Sequence, residues 1–171
     1  INRIVSRYAL TNPSVAVRLV HDDRELFATE GRGSLAQSIL AVYASTVAEG
    51  MLPIDVTAEA ASLHIGGRIS DPEVTRANRS YMAIFVNGRS IDDAALRSAV
   101  LDGYGRRLAS DRYPFTVLEL TLDPALVDVN VHPRKMEVRF DDETAVQQAV
   151  TAAVEATLQD AGGPRAGAPR G

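Results

Sequence analysis

The residues whose types most suggest chemistry lie in the segment VDVNVHPRKMEVRF, from Val127 to Phe140. Apolar and polar residues alternate in both halves of this segment, which is typical of β-strands. Pro133 interrupts the alternation, because proline has no N–H to donate to a neighbouring strand. The pattern predicts two strands that hold a tight basic turn between them, and this turn carries Arg134 and Lys135.

Lys135 is the single lysine among 18 basic side chains, and the others are all arginines. A solvated basic turn is the ordinary explanation for a short cluster of this kind. A lysine at one position, where the chain otherwise uses arginine, favours a site that needs a compact charge on a flexible stem. Lysines that contact nucleotide phosphates are of this type, so we predict a functional role for Lys135.

A second set of residues suited to chemistry consists of four arginines around the segments ISDPEVTRANRS and FVNGR. They are Arg68, Arg76, Arg79 and Arg89. If the apolar strand predicted at 81–86 lies between them, they can share one face and contact a DNA backbone. Arginines scattered over the surface are the alternative, and Asn87-Gly88 is first of all a turn signal.

The loop EGRGS at 30–34 is a third candidate. Two glycines before a helix N-terminus can cradle a phosphate, but the spacing matches neither a P-loop nor a dinucleotide-binding fingerprint. Ser34 is a suitable N-cap for the helix that follows, so a plain capped loop is the other interpretation.

Composition limits the classes of protein that this chain can represent. The 171 residues are 46% hydrophobic, which predicts one domain with a real core. No apolar run approaches the roughly 18 residues that a membrane span needs, so no membrane partner is expected. The absence of cysteine excludes disulfides and thiolate metal sites, and it fits a reducing cytoplasm.

No complete active site is evident in the sequence. The three histidines, His21, His64 and His132, lack the spacing of metal ligands. No Ser-His-Asp or paired-carboxylate set stands out. The formal net charge is −4, of which −3 belongs to residues 141–171 and −1 to the first 140 residues. Contact with DNA therefore requires a local basic patch.

The coarse pattern predicts an α+β fold, because helical and strand-like segments mix without strict alternation. Hydrophobic periodicity predicts helices at 2–10, at 34–44, at 92–108 and at 142–158, and strands at 15–20, 25–29, 53–57, 62–69, 81–89 and 115–122. We expect one domain over residues 1–160 and the start of a flexible linker at 161–171, which is rich in Gly, Pro and Ala. Since Ile1 opens directly into a helical pattern, we expect the chain to be a piece of a longer protein.

Three segments together resemble the MutL family of DNA mismatch repair proteins: ISDPEVTRANRSYMAIFVNGRSI, then RYP, then DPALVDVNVHPRKMEVRF. The resemblance covers about Ile1 to Leu158. It implies the second, transducer domain of an N-terminal ATPase region, which follows an ATP-binding domain of the GHKL type. The implied fold is that of a ribosomal-protein domain, a mixed sheet with helices packed on one face and a left-handed βαβ crossover.

The resemblance also implies roles for individual residues. Lys135 matches the family lysine that reaches the γ-phosphate of ATP in the neighbouring domain, and Arg89 matches an arginine of a DNA-binding groove. Arg76, Arg79 and Arg68 are further candidates for DNA contact. Implied partners are DNA, MutS, the ATPase domain of the same protein and, in the intact protein, a second copy that forms a dimer.

The ATP-binding motifs of that family are absent from the sequence, so this chain alone is expected not to be an enzyme. ATP and Mg²⁺ are expected as cofactors of the intact protein only, which the resemblance assigns to the bacterial cytoplasm, in association with the nucleoid during repair. Arg134 stands where a small residue is common beside the family lysine, and its role is open.

Two other functions stay open from the residues alone. A free-standing nucleic-acid-binding domain of the ribosomal type would bind DNA or RNA in a salt-dependent way without any ATPase domain. A small-molecule kinase of the GHMP type has only the EGRGS loop in its favour.

Overall fold

The computed structural model describes residues 2–128 and 138–162, and these residues form the predicted α+β architecture. Five α-helices are present in them: Asn2–Thr11 (α1), Leu35–Val42 (α2), Ser45–Glu49 (α3), Ala94–Tyr104 (α4) and Glu143–Gly162 (α5). The four predicted helices are confirmed, and α3 is an additional short one. None of the helices in the described ranges combines the length and hydrophobicity that a bilayer span requires.

The same residues form eleven strands in four sheets. In chain order they are Arg18–His21 (β1), Arg24–Ala28 (β2), Met51–Ala58 (β3), Leu63–Ser70 (β4), Thr75–Arg76 (β5), Met82–Val86 (β6), Arg89–Ile91 (β7), Tyr113–Pro114 (β8), Thr116–Leu122 (β9), Val127–Asp128 (β10) and Arg139–Phe140 (β11). Antiparallel pairs are formed by β1 with β2, by β5 with β8 and by β10 with β11.

The main sheet is mixed, and its strand order is β3-β4-β9-β6-β7. All neighbours are antiparallel except β6 and β9, which run parallel with Ile84 opposite Leu118. The chain passes from β6 to β9 through β7 and α4, so a crossover with a helix joins two adjacent parallel strands. The left hand expected for this crossover stays a prediction.

Helices cover both faces of the main sheet, so the expectation of a helical layer on one face only is wrong in this respect. The core that α4 and α5 share contains Ile84 and Leu118, whereas the core that α1, α2 and α3 share contains Phe85 and Val117. The presence of helices on both faces explains why the sequence of β6 is a continuous apolar run. All five of its residues are buried, because alternate side chains meet different helical layers.

Local sequence signals account for the ends of several elements. Asp22 and Asp23 have φ values of 49° and 60°, the left-handed geometry of a tight hairpin turn, and they connect β1 to β2 as predicted. The Ser34 hydroxyl accepts a hydrogen bond from the N–H of Gln37, so Ser34 is the predicted N-cap of α2. The Asp93 carboxylate caps α4 in the same way, by accepting from the N–H of Leu96.

The last helix extends further than the sequence pattern suggests. Val146, Val150, Val154 and Leu158 are buried, as their spacing of four predicts, and α5 continues to Gly162. Ala161 and Gly162, which the sequence pattern places in the linker, are therefore helical. Residues 163–171 lie outside the described residues, and the linker stays a prediction.

Candidate nucleic-acid interface

The Asn87-Gly88 turn places Arg89 at one edge of the main sheet. Asn87 and Gly88 have φ values of 48° and 81°, the combination that a two-residue hairpin turn between twisted strands requires. The N–H of Asn87 donates to the carbonyl of Leu120 at 2.9 Å, and its side-chain oxygen accepts from the N–H of Leu122 at 3.1 Å. These bonds attach the turn to β9, so the backbone before Arg89 is fixed by the centre of the sheet.

Glu119 adds a third attachment between β9 and this turn. Its Oε1 accepts a hydrogen bond from the N–H of Gly88 at 2.8 Å. Burial raises the pKa of Glu119 above the usual range of a carboxyl group, and the bond from Gly88 opposes that shift. The partly buried carboxyl group of Glu119 therefore fixes the turn to β9, next to Arg89.

Arg68 and Arg89 lie on opposite faces of the sheet, so these two candidates do not share a face. Arg68 is opposite Val117 on β9, which packs with the α1–α3 layer. Arg89 is opposite Val86, which packs with the α4–α5 layer. Residues that are directly opposite on neighbouring strands project from the same face of the sheet. Val117 and Val86 project from opposite faces, so Arg68 and Arg89 do so as well.

Arg76 lies at the end of β5, where a second arginine joins it. The guanidinium of Arg76 is 4.9 Å from the ring centroid of Phe115, and its Nη1 donates to the carbonyl of Thr75 at 3.0 Å. Arg112 donates to the same carbonyl at 2.9 Å and to the Thr75 hydroxyl at 2.9 Å. Two cationic groups therefore converge on one carbonyl oxygen, and the exposed Arg79 follows three residues after Arg76 in a 3-10 helix.

Arg7 of α1 connects the two segments that the sequence singles out. Its Nη1 lies 3.4 Å from the Ser90 hydroxyl, beside Arg89, and its Nη2 lies 3.5 Å from the Ser80 carbonyl, beside Arg79. Both bonds are long, and the Nε atom is buried without a hydrogen-bond partner among the described residues. Burial lowers the pKa of Arg7, and the charge of Arg3 lowers it further.

A polar cleft of about 450 Å³ lies between α1, the α2–α3 junction and the segment from β5 to β6. We call it the α1 cleft. It is lined by Arg3, Ser6, Arg7, Tyr43, Arg76 and Ser80, together with neighbouring side chains. None of the described residues that line it is acidic. The lining of the cleft therefore gathers positive charge, and Asp92, outside the lining, is the carboxylate whose charge opposes the lowering of the Arg7 pKa.

Aromatic rings form the wall behind these arginines. Tyr43 and Phe115 have ring centroids 5.1 Å apart in an edge-to-face arrangement, and Tyr81 lies 4.9 Å from Phe115. Burial raises the pKa of Tyr43 to about 12, so its hydroxyl stays protonated at neutral pH. The wall is rigid and uncharged, and it leaves the guanidinium groups as the charged part of the cleft.

Three arginines elsewhere in the described part of the chain have carboxylate partners. Arg18 pairs with Glu25 at 2.6 Å, Arg32 pairs with Glu30 at 2.7 Å, and Arg97 pairs with an aspartate at the start of α4. Within residues 2–128 and 138–162, no ion pair involves the arginines of the α1 cleft or Arg112. Sequence reasoning missed Arg3, Arg7 and Arg112, because nothing in the local pattern indicates that they approach Arg76.

The EGRGS loop is a capped connection. The N–H of Gly33 donates to the carbonyl of Pro13 at 2.9 Å, Ser34 is occupied as the cap of α2, and Arg32 is paired with Glu30. The N–H of Gly33, the hydroxyl of Ser34 and the guanidinium of Arg32 are thus engaged within the loop and its neighbours. The EGRGS loop therefore no longer supports the alternative of a small-molecule kinase of the GHMP type.

Within residues 2–128 and 138–162, histidines and carboxylates do not assemble into a metal centre. Nε2 of His64 lies 2.6 Å from a carboxylate oxygen of Asp55, and Nδ1 of His21 lies 3.2 Å from Asp22, each at the surface. In the described part of the chain, no group of three potential ligands is close enough to hold a metal ion.

Lys135 and Arg134 fall outside the described residues, and so does His132. The strands that bracket them are described: β10 pairs with β11 in antiparallel register, with Val127 opposite Phe140 and Asp128 opposite Arg139. The two ends of the segment at 129–137 are therefore adjacent, as the alternation in the sequence predicts.

Comparison with known proteins identifies the class of protein that has this fold and these sequence blocks. Residues 39–159 match the family described as "DNA mismatch repair protein, C-terminal domain", so the chain carries a domain of the DNA mismatch repair proteins. Over all of its length the chain is 57% identical to a DNA mismatch repair protein MutL of Halobacterium salinarum. It belongs to the MutL family, as the motifs predict.

A second relative agrees with this assignment, and a solved structure shares the fold. The chain is 40% identical, over 92% of its length, to a DNA mismatch repair protein MutL of Streptococcus mutans. It spans about a quarter of these relatives, 26% and 24% of their lengths. The crystal structure of an N-terminal domain of a DNA repair protein has the same fold, with a TM-score of 0.77 at 19% identity, over 93% of this chain and 52% of that one.

Proposed function

We propose that this segment is the transducer domain of a MutL-family mismatch repair protein, and that it couples ATP in a neighbouring GHKL-type domain to contact with DNA. The observation that carries the proposal is the antiparallel pairing of Val127 with Phe140, which closes the segment that contains Lys135. In this proposal Lys135 contacts the γ-phosphate of ATP, and Mg²⁺ accompanies the nucleotide in the ATPase domain. This chain itself contributes no catalytic residue.

The core of the domain holds both ends of that segment. Val138 is 4% exposed, and Val127 and Phe140 pack against the α4–α5 core. The N–H of Asp141 also donates to the carbonyl of Leu126 at 3.0 Å, one residue beyond the paired strands on each side. A phosphate that binds Lys135 would therefore pull on the packed core rather than on a free tail, which is how ATP could bias one interdomain arrangement over another.

Contact with DNA in this proposal is made by local clusters of arginine rather than by overall charge. Arg89 extends from a turn that β9 holds in place, and Arg76 and Arg79 lie on the segment that Arg7 joins to it. Arg68 projects from the face that the α1–α3 layer covers, and Arg89 projects from the opposite face. The relatives are described as DNA mismatch repair proteins, and contact with MutS and ATP-driven dimerisation around DNA belong to the same proposal.

ATPase turnover of a protein that carries this segment together with its ATPase domain tests the coupling. We expect Lys135→Ala to lower turnover while the domain stays folded, and Lys135→Arg to be nearly as harmful, since a planar guanidinium does not reproduce a compact ammonium group. Arg139→Ala is the matched control, because Arg139 is an exposed cation of the adjacent strand β11. Turnover at the wild-type level in both lysine variants would overturn the role of Lys135.

A gel shift at low salt separates this proposal from the free-standing nucleic-acid-binding alternative. The isolated chain should bind DNA weakly, and binding should tighten when the ATPase domain and ATP are present. Equally tight binding by the isolated chain, without any dependence on ATP in the longer protein, would favour the alternative instead.

A further inference from the structure

We propose that the α1 cleft is a binding site for a phosphate group, held by the guanidinium groups of Arg3, Arg7 and Arg76. The phosphate is supplied either by the backbone of DNA or by a free nucleotide, and the chemistry of recognition is the same for both. The DNA source rests on the proposed function, whereas the nucleotide source does not.

Unbalanced charge is the first argument for an anion in the cleft. Three guanidinium groups line it, and no acidic side chain does so among the described residues. Like charges that share a partly buried site repel each other, and the charge of Arg3 does contribute to the lowered pKa of Arg7. An anion between these groups would turn that repulsion into attraction.

The Nε atom of Arg7 is the second argument. It is buried and has no hydrogen-bond partner among the described residues, while the two terminal nitrogens of the same group make only long contacts. A buried donor without an acceptor is destabilising, so such groups are rare in folded proteins unless a ligand or water satisfies them. A phosphate oxygen beside Arg7 would supply the missing acceptor, because a guanidinium fork matches two oxygens of one phosphate.

The surroundings of the cleft favour phosphate over a carboxylate from another protein. A volume of about 450 Å³ accommodates a phosphate with its attached sugar, and the hydroxyls of Ser6 and Ser80 lie among the lining groups. The positive charge continues outside the cleft, where Arg112 meets Arg76 at the carbonyl of Thr75. A single carboxylate would balance one of these cations, whereas a nucleic acid presents a repeating series of charges.

Nuclear magnetic resonance of the ¹⁵N-labelled chain tests the site directly, because the Nε–H of Arg7 reports on the cleft. Inorganic phosphate should shift this resonance saturably, and Arg3→Gln should weaken the apparent affinity several-fold. Arg3 is exposed, so its replacement leaves the fold intact. No shift, or the same shift with chloride at equal ionic strength, would overturn the inference.

Two further titrations distinguish the sources of phosphate. A duplex oligonucleotide that shifts the Arg7 resonance at a lower concentration than a nucleoside triphosphate identifies DNA as the ligand. The reverse order identifies a free nucleotide. If neither shifts it, binding of inorganic phosphate reports an adventitious ion only, and the inference fails.

The salt dependence of DNA binding separates this inference from the proposed function. For each phosphate contact that is lost, the slope of log affinity against log salt concentration should fall by about 0.9. We expect that loss for Arg3→Gln but not for Arg18→Gln, a control that removes an arginine paired with Glu25 on the β1–β2 hairpin. If Arg89→Gln lowers the slope and Arg3→Gln leaves it unchanged, DNA contact stands and the cleft is not part of it. A saturable nucleotide shift at Arg7 without any DNA binding would keep the cleft and remove the DNA contact.

Discussion

The carboxylate of Glu119 accepts a hydrogen bond from the N–H of Gly88 at 2.8 Å, and this bond attaches the turn before Arg89 to the central strand of the sheet. Burial raises the pKa of Glu119, because a charged carboxylate loses hydration there. The partly buried Glu119 thus lies next to the Asn87-Gly88 turn, and Arg89, which follows this turn, is a candidate for DNA contact. The position of Arg89 therefore depends on the carboxyl group of Glu119 in the neighbouring strand.

Replacement of Glu119 by glutamine should remove a pH dependence of stability. The pKa of Glu119 is higher in the folded state, so the folded state binds more protons between the unfolded value of about 4.3 and the raised value. Stability therefore falls as the pH rises through that window, and the ionisation cost is absent below it. Glu119→Gln keeps an acceptor for Gly88, so its free energy of unfolding should exceed that of the wild type at pH 7 and converge with it toward pH 4.

Urea unfolding at a series of pH values measures this difference. Glu155→Gln on the exposed side of α5 is the control, since it also removes one carboxylate. If the free energies of unfolding of the Glu119 variant and the wild type differ by the same amount from pH 4 to pH 8, the pKa of Glu119 is not raised in the folded state.

Local sequence chemistry was sufficient to predict much of the fold. The run at 81–86 specifies β6, because a strand buried on both faces requires a continuous series of apolar residues. The Asn87-Gly88 pair specifies the turn after it, because Asn and Gly tolerate positive φ. Ser34 and the pair Asp22-Asp23 specify a helix start and a hairpin for the same reason. Each of these features depends on residues that are close together in the chain.

The parts that could not be predicted depend on distant residues. Arg7 meets Ser80 and Ser90 across separations of 73 and 83 residues, and no local pattern records such a contact. The faces of Arg68 and Arg89 follow from the register of β9 between its neighbours, and a shift of one residue would reverse either face. The second helical layer was missed for a related reason: α1 and α2 are evident as helices in the sequence, but the face of the sheet that they cover is set by contacts with residues distant in the chain, such as Phe85 and Val117.

Gly67→Ala should destabilise the domain severely. Gly67 has φ +114°, a backbone conformation that a side chain disfavours, and an added Cβ would lie 1.9 Å from the carbonyl oxygen of Val117. The backbone strain and the steric overlap together should cost about 3 kcal/mol or more of the free energy of unfolding. Thermal and urea unfolding followed by circular dichroism measure this loss.

Gly162→Ala is the matched control for that substitution. An added Cβ at Gly162 meets nothing within 4 Å, and this residue ends α5, so alanine should be neutral or slightly stabilising. A Gly67→Ala protein as stable as the Gly162→Ala protein would show that the close approach of β4 to β9 at Val117 is misplaced.

Tyr104→Phe should cost about 1–3 kcal/mol of the free energy of unfolding. The side chain of Tyr104 is fully buried at the end of α4, and its hydroxyl donates to the carbonyl of Ser70 at 2.6 Å. Phenylalanine would fill nearly the same space and leave that carbonyl without this donor. Tyr113→Phe on the half-buried β8 is the control, and equal losses in the two variants would refute a special role for the Tyr104 hydroxyl.

Arg89 should contribute more to DNA binding than Arg68, because Arg89 is exposed after the Asn87-Gly88 turn whereas Arg68 is half-buried within β4. The two side chains also project from opposite faces, because Arg68 is opposite Val117 in the α1–α3 layer and Arg89 is opposite Val86 in the α4–α5 layer. In fluorescence anisotropy with a labelled duplex, Arg89→Gln should reduce the slope of log affinity against log salt concentration by about 0.9, and Arg68→Gln should change it less. If the two glutamine variants lose affinity equally at every salt concentration, DNA does not distinguish the two faces, and the contact surface must be placed elsewhere.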